Sequence, residues 1–305
     1  MPARAVGDAP PKRQSRLHNE RMKVDLSDFT LCAAGSTNVA LTVRAIHRSL
    51  EQCKFADAVL FTHEPPPADG FRTVTIDKLD REGYQNFRIK PPPTIETPFT
   101  LFVEWDGFVV EPRAWRTDFR NFDFIGARFL EHGVSVSYFN SGFCLQSKKF
   151  NAALGDPRFT VIRGQSIDGM ICGAFRPALE RDYGIRFPTH EVADAFSYEW
   201  AHQPVRTTFG FHGLGNMPRY FSDAEMIEII GMTDPSVLRT WQFILLLVTY
   251  AQQAKFAVIE QLYRHMRANM PLDEVRNTFQ FVRQPARDEI FNLCERLVDG
   301  SMWIT

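Results

Sequence analysis

The 305-residue sequence offers no cysteine pairing: its five cysteines, Cys32, Cys53, Cys144, Cys172 and Cys294, are scattered, odd in number and without a C-x-x-C spacing. That excludes a disulfide framework and the common zinc and redox motifs, and it fits reduced thiols in a cytoplasmic protein. A charge bias is also missing, since 35 Lys and Arg face 36 Asp and Glu for a formal net charge of −1. No global field therefore draws the chain to nucleic acid. Long apolar runs are absent too. The most apolar stretch, Phe243 to Val248 within "WQFILLLVTYAQQAKF", falls well short of the roughly 20 residues of a membrane span. It reads as a buried helix, a homodimer contact, or the place where a membrane-associated acceptor is met peripherally. The opening "MPARAVGDAPPKRQSRLHNERMK" has basic residues but no apolar core and reads as a polar tail over 1–24, not a secretory signal.

What the chain does have is apolar and aromatic bulk, including 27 Phe, enough for a large core. From Asp28, an apolar run "FTLCAA" leads through the turn "GSTN" into "VALTVRAIHRSLEQC", where Val39, Val43, Ile46 and Leu50 recur at helical spacing. The strand "AVLFTHE" follows, which makes a βαβ unit with parallel strands. The turn at Ala34 to Asn38 then lies where backbone N–H groups and the helix dipole favour an anion. Its Thr37 and Asn38 serve equally well as an ordinary helix cap. A third strand, "FRTVTI", precedes the Pro-rich "PPPTIETP".

The next stretch raises a chemical question. "FTLFVEW" reads as a central strand covered on both faces, yet Glu104 and Asp106 stand at its end, with Gly107 just beyond. Two residues apart in a strand, they face one way. At the carboxyl end of a central α/β strand they would meet a ligand crevice. A hard ion such as Mg2+ or Mn2+ takes one or two carboxylates and completes its shell with substrate phosphate oxygens. The bland alternative is an acid pair held by Arg113 or Arg116.

"EWDGFVVEPRAW", "FDFIGARF", "YFNSGFCLQSKKF", "IDGMICGAFRPALERDYGIRFPTHEVADAFSYEW" and "FGFHG" follow one another from Glu104 to Gly213, within a resemblance that covers Asp25 to Gly213. In that order they resemble the DUF5672 group of glycosyltransferase-like proteins, placed near nucleotide-sugar transferases of the GT-A fold. The resemblance implies an α/β fold with a GT-A-like (Rossmann-like) mixed sheet flanked by helices over 25–220. It also implies a metal site on Asp106, Glu104 and His212, and a nucleotide-diphosphate sugar as donor. In its terms, Asn140 and Gly142 of "NSGF" line the sugar pocket, and Ala34, Thr37 and Asn38 receive base and ribose. By the same resemblance, Asp168 is the general base of an inverting transfer to a glycan or lipid-linked acceptor, or the anchor of the acceptor hydroxyl. This chain departs from the group's usual Asn-Gly-Gly-Phe at Ser141, and from an acidic pair at Ile167. A degenerate, non-catalytic glycan- or nucleotide-binding module is therefore the rival expectation. A nucleotidyltransferase with the same acidic metal site is the other.

Each residue also has a plainer reading. Asp168 suits the N-cap of the helix that follows it, and His212 suits a strand-end histidine among aromatics. The other seven histidines have no partner spacing. Trp105 and Trp115 read as core, with Trp115 the one placed to stack on a sugar, and Glu199 reads as a solvated or ion-paired helix acid. After Tyr220, "SDAEMIEIIG" opens with a capping-box spacing at Ser222 and Glu225. The pattern predicts an all-helical C-terminal appendage over 221–305 built from three to five helices.

Overall fold

The computed structural model describes residues 23–90, 94–131, 134–199, 207–283 and 286–301. Most of the polar tail, Trp200, and the histidines at 18, 132 and 202 lie outside these residues. One eight-stranded mixed sheet runs in the order β3-β2-β1-β4-β6-β5-β7-β8. Its first half is the expected βαβ unit. Strand β1 (Val24–Ala34) passes through helix α1 (Val39–Gln52) into the parallel β2 (Cys53–Thr62), and β3 (Arg72–Thr75) extends that edge in parallel. On its other side β1 pairs in parallel with β4 (Phe99–Phe102). Strand order thus reverses between β1 and β4, and ligands of open α/β sheets bind at such a switch point, beyond the carboxyl ends.

The second half turns antiparallel. Strand β6 (Val134–Ser147) pairs antiparallel with both β4 and β5 (Phe124–Glu131), and the short β7 (Ser197–Tyr198) and β8 (Gly210–Phe211) finish the edge in parallel. The sheet is covered on both faces, which is why β1 is buried without interruption from Phe29 to Ala34. Alternation sorts its side chains. Leu31 and Ala33 pack with Ile46 of α1, whereas Cys32 and Ala34 pack with Ile89 of α2 (Arg81–Ile89) and Leu154 of α3 (Lys148–Leu154). A short α4 (Ile167–Gly169) runs into a π-helical turn at Met170–Ala174, followed by α5 (Arg176–Tyr183) and α6 (His190–Phe196).

Among the described residues, five further α-helices lie in the C-terminal region: α7 (Asp223–Met232), α8 (Trp241–Gln252), α9 (Phe256–Asn269), α10 (Leu272–Thr278) and α11 (Ala286–Asp299). Ser222 and Glu225 form the capping box that their spacing predicts. The stretch from Asp234 to Met270 is not continuous helix. Pro235–Arg239 is a separate 3-10 turn, Thr240 caps α8, and Ala254 leaves helical space at φ 55°. The apolar run is intramolecular core, because Phe243, Ile244, Leu246, Leu247 and Tyr250 are fully buried in a cluster that also takes in Leu41, Phe108 and Phe211 from the sheet side. Among the described residues, no helix is long and apolar enough to cross a membrane.

Candidate functional site

The strand bearing the acidic motif is shorter than its apolar run suggests. Ladder pairing of β4 stops at Phe102, and Glu104 to Gly107 form a tight turn in which Gly107 N donates to Glu104 O at 3.1 Å. The two acids share a site because of that turn, not because of strand alternation. They still lie just past the carboxyl end of a central strand. A cleft of about 360 Å³ opens there, lined by Gly35, Thr37, Arg81, Tyr84, Glu104 and Trp105 among others, a size within the usual range for small-molecule sites.

His212 follows the last residue of β8 and completes the group. Ligand atoms of Glu104, Asp106 and His212 all lie within 4.8 Å of one another. His212 Nε2 is 3.4 Å from both Glu104 Oε2 and Asp106 Oδ1. The ring gets this close because two glycines make room for it. A Cβ on Gly142 would stand 2.1 Å from His212 Nε2, and one on Gly107 would stand 2.9 Å from its Cδ2. Real side chains cannot approach so closely, so both positions are restricted to glycine while the ring stays where it is.

The site fits a divalent ion on its own evidence. Asp106 is 2% exposed, and its Oδ1 is buried with no hydrogen-bond partner. A carboxylate oxygen in that state costs free energy unless a cation or donor meets it. Two carboxylates and an imidazole nitrogen are a donor set that suits Mn2+ or Mg2+. Burial works to lower the proton affinity of His212, yet the neighbouring carboxylates of Glu199, Asp106 and Glu104 hold it well above its ordinary value. Glu104 is likewise pushed up by burial but brought down to about 2 by His212, Arg88 and Tyr84.

Arg113 and Arg116 are not the partners of the acids, and Arg116 instead pairs with Asp118. The basic partner is Arg88 on α2. Its Nη1 lies 3.5 Å from Glu104 Oε1, its Nη2 donates to Ser141 O at 2.8 Å, and its guanidinium lies 3.4 Å from the centre of the Phe102 ring. Burial opposes that charge, and Tyr84, Cys144 and Glu104 more than offset it. Tyr84, one turn earlier on α2, donates to the same Glu104 oxygen. Periodicity marks neither residue as functional, because both occupy the inner face of an ordinary amphipathic helix.

Asp168 is not the helix cap. Ser166 is, accepting from Gly169 N at 3.0 Å. Asp168 Oδ1 instead accepts from the Ser141 backbone N–H at 2.8 Å and from its hydroxyl at 2.6 Å. Burial raises the Asp168 carboxyl above its ordinary value, with the two Ser141 bonds opposing. Asn140 turns its Oδ1 back onto Gly142 N at 2.6 Å, which shapes the loop rather than reaching outward. The adjacent π-helical turn, closed by Phe175 N donating to Met170 O at 2.8 Å, is a form that recurs at functional sites.

The first turn is divided. Ala34 and Thr37 line the cleft. Asn38 sits at φ 55° without capping α1 through its side chain, and its Oδ1 accepts from Asp234 N at 2.7 Å. It ties the C-terminal region to the sheet, which brings Ser236 to the cleft rim. Of the two tryptophans read as core, Trp105 instead lines the cleft, whereas Trp115 packs edge-on against Phe29, Phe119 and Phe209. Glu199 is no helix acid. Helix α6 ends at Phe196, and Glu199 is buried just past β7 with its Oε2 2.6 Å from His212 Nδ1. Only its distance from His212 along the chain hid that partnership.

No family model matches the chain, and no curated protein matches it. Among solved structures, the chain is similar to mannosyltransferase PcManGT from Pyrobaculum calidifontis, in complex with GDP-Man and Mn2+. That likeness has 10% identity over 95% of this chain and 92% of the other, with a TM-score of 0.39. A likeness at that level adds nothing to what the residues themselves show.

Proposed function

We propose that the protein is a metal-dependent glycosyltransferase that moves a sugar from a nucleotide-diphosphate donor to a hydroxyl of a glycan or lipid-linked acceptor, with inversion. One observation carries the reading. The buried Oδ1 of Asp106, which has no hydrogen bond, converges with His212 and with Glu104, the one of the three that lines the β1/β4 cleft. Asp106 and His212 would hold Mn2+ or Mg2+, with Glu104 beside them on its Tyr84 and Arg88 supports. The ion would supply a counter-charge for the leaving diphosphate. Ala34, Thr37 and the amino end of α1 form the wall that takes the nucleotide, with Trp105 opposite as an aromatic face.

Asp168 is the base in this reading. As the acceptor oxygen bonds to the anomeric carbon and the bond to the diphosphate breaks, the acceptor proton passes to the Asp168 carboxylate. A carboxylate raised by burial is better matched to that task than a solvated one. Ser141, where the resemblance implies glycine, orients it through two hydrogen bonds to Oδ1. A single carboxylate so held can act without the second acid that the resemblance implies at Ile167.

The test is thermal stability against a panel of nucleoside diphosphates and nucleotide sugars, each with and without Mn2+, because a ligand of the folded state raises Tm. A Mn2+-dependent rise with one nucleotide supports the reading and names the donor class. A panel without any rise rejects it and favours a degenerate binding module.

A further inference from the structure

Glu199 has no part in the chemistry above, yet it is among the most expensive residues to keep where it is. Its side chain is 1% exposed. A buried carboxylate is strongly unfavourable unless a charged or hydrogen-bonding group meets it. Among the described residues its one ion-pair partner is His212, at 2.6 Å between Glu199 Oε2 and Nδ1. The backbone is built to hold the pair in register. His212 N donates to Tyr198 O at 3.0 Å, continuing the β7–β8 pairing of Tyr198 with Phe211. The Asn216 amide bonds to the carbonyls of both Glu199 and His212. The imidazole is thus fixed in plane by Gly107 and Gly142 and in rotation by Glu199.

The consequence concerns which nitrogen is left over. An ionised carboxylate only accepts hydrogen bonds, so a ring bonded to it keeps a proton on Nδ1, and Nε2 is the nitrogen that can give up its own to take a cation. Nε2 then faces the two carboxylate oxygens at 3.4 Å. We propose that Glu199 is the positioning residue of the site: by accepting a hydrogen bond from His212 Nδ1 it orients the ring so that Nε2 is offered to a divalent ion beside Asp106 and Glu104. This rests on the metal-dependent reading above. Partners that orient a metal-bound histidine in this way typically contribute 10–100-fold to affinity.

The experiment uses the full chain and two readouts. Long-range 1H–15N spectra of the metal-free protein locate the His212 proton, and Mg2+ is then added. Free Mn2+, followed by electron paramagnetic resonance, gives affinity for the wild type and for Glu199→Gln. The expected result is a protonated Nδ1 in the wild type, an Nε2 resonance that alone moves with Mg2+, and Mn2+ affinity about 10–100-fold weaker in Glu199→Gln. Wild-type affinity retained in the variant overturns the proposal while leaving the metal site standing. An unprotonated Nδ1 overturns it without any variant, should Glu199→Gln fail to fold. Absence of Mn2+ and Mg2+ binding in the wild type, with Nδ1 protonated, overturns the metal-dependent reading itself and reduces Glu199 to a structural partner of His212.

Discussion

The C-terminal helices and the carboxyl edge of the sheet are built on opposite rules. In the helical cluster, local signals agree: Ser222 and Thr240 cap their helices, and apolar faces interlock around Phe243, Leu247 and Tyr263. At the sheet edge they conflict. Three carboxylates and an imidazole sit close together, mostly buried, an Asp106 oxygen has no hydrogen bond, and two glycines are fixed by a ring that leaves no space for a Cβ. Proteins depart from consistency across levels mainly at functional sites. The helical cluster therefore marks where local signals agree, and the sheet edge marks the place to look for function.

Substitutions can break that division, beginning with the largest effect. Asp106→Asn is expected to abolish Mn2+-dependent nucleotide binding and turnover with little change in the Tm of the metal-free protein, checked by calorimetry and a transfer assay. Asp168→Asn should lower turnover by about 10²–10⁴ while donor affinity stays at the wild-type level, as a binding titration would show. The same residue sets a pH dependence. A base works only when ionised, so activity is present above its folded pKa and lost as pH falls through it. Burial raises that pKa, so the acid limb of kcat/KM should lie above the ordinary Asp value of about 3.9, and a limb at or below it would remove Asp168 from the role.

The helical side answers differently. Phe243→Ala should cost about 3–5 kcal/mol of stability by denaturant unfolding, yet leave Mn2+ affinity of the folded fraction unchanged. Gly142→Ala joins the two regions: its methyl group would collide with His212, so a loss of about 1–3 kcal/mol should come together with weakened Mn2+ binding. A stability loss without the binding loss would show that the ring can relax elsewhere.

The same contrast explains what could be read from the sequence. The βαβ unit and the C-terminal helices are local patterns, with apolar spacing and caps within a few residues of each other, and they stand where the sequence puts them. The acidic motif was visible because Glu104 and Asp106 interrupt an apolar run. Their true supports were not, since Tyr84 and Arg88 are bonded to Glu104 across a long Pro-rich connection, and Glu199 meets His212 only through the pairing of two very short strands. Arg113 and Arg116 were nearer in sequence and wrong in space. Both tryptophans read as core; Trp115 packs there, whereas the turn at Glu104 to Gly107 presents Trp105 to the cleft. Ser141 looked like a defect in a glycine loop, and the structure makes it the residue that holds Asp168.

The most direct measurement is the anomalous difference density of a crystal grown with Mn2+ and a nucleoside diphosphate. The account predicts one strong peak bounded by Asp106 Oδ1, Glu104 Oε2 and His212 Nε2, with the diphosphate reaching it from the cleft between β1 and β4. A nucleotide bound in that cleft with no peak among those three side chains would contradict it.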